Sequence, residues 1–157
     1  MLKQLIGVIS LVLTSAAAAV AADTPPKSSP APAAVDTDLA TARARIDASD
    51  WTGAADVLQK AVARDPGNAD YHNLLAYAIR KGPNPDMDRV FKHYGEALRI
   101  NPKHRDAHEY IGEAYLMVGN VGKAKEHLAA LDKLCFLPCG QFRDLKREIE
   151  RYEASKK

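Results

Sequence analysis

The chain has 157 residues, room for one domain, and its 22 Lys and Arg against 20 Asp and Glu leave a formal charge of +2. A balance this even excludes the basic footprint expected of a protein that grips nucleic acid or an anionic membrane. Abundant Ala with few Val, Ile and Thr favours helices over strands.

Met1 to Gln4 carries one charge, Lys3, and Leu5 to Leu13 is a compact apolar run. Small residues then lead to Ala19-Val20-Ala21-Ala22. That order predicts a secretory signal peptide over 1–22, cut after Ala21 or Ala22, and hence a periplasmic or otherwise exported protein with no stable membrane insertion after cleavage. Residues 23–35, DTPPKSSPAPAAV, hold four prolines and read as an extended linker.

The folded part is expected over 36–155, and it repeats. Pro66 and Pro102 lie 36 apart, each with an Ala at minus five (Ala61 and Ala97). Ala42, Ala76 and Gly112 fall into step, as do Ala54, Val90 and Ala124. A period near 34 with helical patterning predicts helix hairpins, with repeats at about 36–68, 69–104 and 105–138. Pro66 and Pro102 should end second helices, and Asp50 and Asn120 should cap the helices after the inter-helix turns. Gly112 and Ala124 are expected to let the two helices of the third hairpin approach closely. A last helix over about 141–154 carries the stripe Phe142, Leu145, Ile149 and Tyr152. It should cap the stack, with Arg143, Lys146, Arg147, Glu148 and Glu150 turned to water.

Cys135 and Cys139 fall between the last repeat helix and this cap. Export to an oxidising compartment predicts a structural disulfide, with Pro138 ending the helix before Cys139. Two alternatives stand beside it: a thiolate pair gripping copper(I), and free thiols. There is no Gly-rich phosphate loop, H-E-x-x-H, G-x-S-x-G or C-x-x-C, so no catalytic residue and no cofactor is expected. His104 and His108 are four apart, but His104 falls in an inter-repeat loop and His108 in a packing slot, so no metal site is expected. His72 occupies the same slot as His108 one repeat earlier, and His93 and His127 share another, which reads as periodicity.

His108-x2-Ile111-Gly112-x2-Tyr115 with Ala124-x3-Leu128, and His72-x2-Leu75-Ala76-x2-Ile79 with Val90-x3-Tyr94 and Pro102, resemble the tetratricopeptide (TPR) motif. A third, degenerate unit keeps Ala42, Trp51, Ala54-x3-Leu58 and Pro66, and the resemblance covers roughly residues 36–136. It implies an all-α, right-handed solenoid of three hairpins plus a capping helix. It further implies a protein or peptide partner held in a concave groove, as in an extracytoplasmic scaffold or an accessory of envelope assembly. The family's groove positions fall here on Leu39, Arg43, Ile46 and Asp47, on Asn73, Tyr77, Arg80 and Lys81, and on Glu109, Glu113, Leu116 and Met117. The basic clamp that some members use for carboxyl termini is not matched, because Glu109 and Glu113 are acidic.

Overall fold

The computed structural model describes residues 36–157, so the expected signal peptide and linker lie outside the described residues. Seven helices follow one another: α1 (Thr37–Asp47), α2 (Trp51–Arg64), α3 (Ala69–Lys81), α4 (Met87–Ile100), α5 (Arg105–Met117), α6 (Val121–Leu134) and α7 (Gly140–Ala154). Most begin where a short polar side chain takes up a free backbone N–H of the first turn. The Asp36 carboxylate accepts from the amides of Asp38 and Leu39, Asp50 from Gly53, and Asn120 from Lys123. α2 ends at Arg64 and α4 at Ile100, each with one cap residue, Asp65 or Asn101, before Pro66 or Pro102, which cannot donate a backbone bond to continue the helix.

The turns between paired helices also repeat. Asp50 N–H bonds back to the Arg45 carbonyl and Asn120 N–H to the Tyr115 carbonyl, both at 2.8 Å. The residue before each adopts a left-handed backbone, Ser49 at φ 57° and Gly119 at φ 77°. Only the second is a glycine, so the first hairpin carries a small strain that the third does not.

Packing runs from each hairpin into the helix that follows it. Ala42, Leu58, Ala61 and Val62 of the first hairpin close on Tyr71 and Leu75 of α3. Ala76, Val90 and Tyr94 close on Ile111 and Ala114 of α5. Leu116, Ala124 and Leu131 close on Leu145 and Ile149 of α7. No hairpin has a complete core of its own, so the stack is the stable unit. Gly112 corrects one expectation. A Cβ placed there would meet Leu145 Cδ2 at 2.6 Å and Cδ1 at 2.7 Å, so the nearest neighbour that its missing side chain makes room for is α7.

Candidate functional site

The leading helices α3, α5 and α7 carry the residues around an open groove of about 600 Å³. Arg80 and Lys81 come from α3, Glu113, Leu116 and Met117 from α5, and Glu148, Arg151 and Tyr152 from α7, with Ser155 just beyond. The lining repeats with the fold. Lys81 leads to Met117 after 36 residues and to Tyr152 after another 35, and Arg80 leads in the same way to Leu116 and Arg151. Side chains one period apart meet because successive leading helices stack side by side.

Arg80 organises the middle of this face. It is only 8% exposed, yet its charge is paired. Its Nη2 donates to Glu113 Oε2 at 2.7 Å and its Nε to the Tyr94 hydroxyl at 3.4 Å. Its guanidinium carbon lies 5.4 Å from the Tyr77 ring centre and 5.9 Å from that of Tyr110. A buried cation is tolerable only with such partners, since desolvation otherwise exceeds what one ion pair returns. The rings continue outward, Tyr77 against Tyr110 at 4.7 Å and edge-on to Trp51 at 6.1 Å. Lys81 ends this row, 6.0 Å from the Trp51 ring centre.

Five of the twelve groove positions expected from sequence line the opening: Arg80, Lys81, Glu113, Leu116 and Met117. Among them Met117 is the apolar side chain offered to solvent, at 53% exposure. Tyr77 and Glu109 are half-buried beside it on the same helix faces, at i−4 from Lys81 and from Glu113. Asn73 is buried, and its Oδ1 has no hydrogen-bond partner within the described residues. Arg43 stands exposed on α1, outside the lining. Burial, and then the carboxylates of Glu113, Asp144 and Asp106, push the Glu109 carboxyl up to about 8, so it is largely protonated at neutral pH.

Glu148, Arg151 and Tyr152 were not expected in the groove. The cap was read by its apolar stripe, which places Leu145 and Ile149 in the core as found. Its second face does not simply meet water, because α7 occupies the place of a fourth leading helix. The signal was present in the register, since Glu148 follows Glu113 by 35 residues.

At the far end of α6, Cys135 and Cys139 are joined in a disulfide with Cα atoms 5.8 Å apart. Cys135 terminates α6 and Cys139 precedes α7, so the bridge ties the last hairpin to the helix that walls the groove. Phe136 and Leu137 project from this small ring into solvent. Joined sulfurs offer no thiolate pair to copper(I). His104 and His108 also part company: His104 Nε2 bonds Asp70 of α3, whereas His108 turns to α6.

Stacked helix hairpins with a side-chain-lined concave face define a helical-repeat scaffold. The family described as Tetratricopeptide repeat matches residues 39–86, and the described residues have an all-helical fold of the tetratricopeptide-repeat type. The crystal structure of the Yersinia enterocolitica type III secretion translocator chaperone SycD, in an alternative dimer, is similar in fold. It superposes with a TM-score of 0.65 at 15% identity, over 77% of this chain and 92% of that one. No protein of curated function matches the sequence.

Proposed function

We propose that this chain is a non-catalytic protein-binding module whose concave groove holds a segment of a partner. The observation that carries the reading is the groove itself. Three helices from successive repeats converge on one opening that mixes an exposed Met117, the Tyr152 ring and opposite charges on Lys81, Glu113, Glu148 and Arg151. Concave sites with an apolar patch and a few placed polar groups are the usual form of a binding site. The likeness to SycD, a translocator chaperone by its name, supports a role in holding another protein, and the leader-like residues 1–22 support doing so after export as an accessory of envelope assembly.

A photo-crosslinking residue placed at Met117 or Tyr152 in cells should yield adducts with a discrete partner. The same residue at Gln59 or Lys60, on α2 away from the groove, should not. Equal labelling from both faces, or none from the groove, would overturn the assignment. Intact mass of the same preparation tests export: the chain should begin at Ala22 or Asp23, and a retained Met1 would refute it.

A further inference from the structure

All five histidines of the chain lie within the described residues, and four of them form two copies of one arrangement. His72 on α3 meets His93 on α4 with their Nδ1 atoms 3.0 Å apart, and His72 Nε2 lies 3.1 Å from the Pro66 carbonyl oxygen. One repeat later, His108 on α5 meets His127 on α6, again Nδ1 to Nδ1 at 3.0 Å, with His108 Nε2 3.0 Å from the Pro102 carbonyl oxygen. Ring centres are 5.2 Å apart in both pairs. Each pair therefore spans the two helices of one hairpin, anchored on the carbonyl of the proline that ended the helix before it.

The chemistry of the partners assigns the protons. A carbonyl only accepts, so Nε2 of His72 and of His108 carries the hydrogen. In a neutral ring the other nitrogen is then a bare acceptor. His93 and His127 must accordingly carry theirs on Nδ1 and donate it across the hairpin. A first added proton has only the Nε2 of His93 or His127 to go to. A second would place N–H against N–H at 3.0 Å and break the bond.

We propose that the two histidine pairs are proton-sensitive latches that hold the second and third hairpins closed at neutral pH and release them in acid. Their surroundings oppose even the first proton. His93 is 8% exposed, and burial followed by the nearby His72 pushes it down to about 4. Arg89 and Lys92 act in the same sense and Glu96 against it. Glu96 is itself committed to Arg99 through two hydrogen bonds, at 2.9 and 2.7 Å. Burial and then His108 push His127 down to about 4, with Lys123 acting in the same sense and Glu126 opposing, while the Tyr115 ring stacks on it at 5.7 Å. The fifth histidine lies outside the device: His104 accepts the Ala107 N–H on Nδ1 and meets Asp70 with Nε2.

The unfolded chain has ordinary imidazoles titrating near about 6.5, so between there and about 4 it binds more protons than the folded chain. The latch stabilisation is fully present above that range and falls away as pH drops through it. The folding constant should decline by about tenfold or more per pair between pH 7 and pH 5.

The test is urea unfolding of the whole protein at pH 7 and pH 5, followed by circular dichroism, on the natural chain and on the double variant His93→Gln, His127→Gln. Glutamine keeps a donor toward His72 and His108 but does not titrate. The natural chain should lose the stated factor, and the variant should lose little. Equal acid sensitivity in both chains would overturn the latch. If the variant does not fold, nitrogen-15 spectra of the natural chain decide. At pH 6 they should show His72 and His108 protonated on Nε2, and His93 and His127 protonated on Nδ1. Either His93 or His127 titrating near 6.5 with the fold intact would refute it.

Discussion

Leu145 fills the hollow that Gly112 leaves, and that contact determines how α7 docks. Replacing Gly112 with Ala sets a methyl 2.6 Å from one Leu145 methyl, 2.7 Å from the other and 3.3 Å from Cγ. Leu145 is fully buried, so rotating it only moves the conflict elsewhere. Overpacking of this kind costs about 1–3 kcal/mol, while the better helix propensity of Ala returns about 1. The net effect should be a loss of about 0–2 kcal/mol. Leu145→Ala alone should cost about 2–5 kcal/mol by opening a cavity. In that background the Gly112→Ala methyl finds space, so its propensity gain is free to appear and the substitution stabilises. The double-mutant cycle should therefore show a coupling of about 1–3 kcal/mol, measured by urea unfolding, with hydrogen exchange showing α7 as the segment that loosens in Gly112→Ala. A uniform gain of about 1 kcal/mol from Gly112→Ala in both backgrounds would refute the reasoning.

Other perturbations separate the remaining features. Arg80→Ala should cost up to about 3 kcal/mol in a denaturant melt, because it strands the half-buried Glu113 carboxylate, and Arg80→Ala with Glu113→Ala should recover part of that loss. Glu109→Gln should stabilise the protein above pH 8 and leave it nearly unchanged at pH 4.5. The folded carboxyl is raised to about 8, so the natural chain loses stability as pH rises from the ordinary carboxylate range through that value, and a pH series of melts reads the difference. Replacing both Cys135 and Cys139 with Ser should cost about 2 kcal/mol, as expected for opening a short loop, and proteolysis should then attack residues 135–157 first.

The helix boundaries and the stacking order were legible because they depend on local chemistry repeated at a fixed interval. Pro66, Pro102, Asp50 and Asn120 act on their own turns, and no distant residue is needed to interpret them. Side-chain destinations were less legible. The periodicity marked Gly112 as a small position but could not say that Leu145, from the next leading helix, is what fills the space. Arg80 reads as a surface cation, and its burial follows only from Tyr77, Tyr94, Tyr110 and Glu113 converging from three helices. The histidines were visible as a repeat but not as pairs, since contact between His72 and His93 depends on how two helices cross.

A chain of units that touch only their neighbours frays from either end, because nothing bonds one repeat to the next but one. The row Lys81, Met117, Tyr152 offers an exception, since these side chains come from three separate units yet face a single opening. Whatever lies along that row acts as a clasp, making each unit's opening cost the others theirs. Occupancy would thus convert stepwise melting into one sharp transition, with a midpoint that climbs with ligand concentration. The first hairpin, with its left-handed Ser49, sends no side chain to that row, so it stays outside the shared transition and remains free to open by itself.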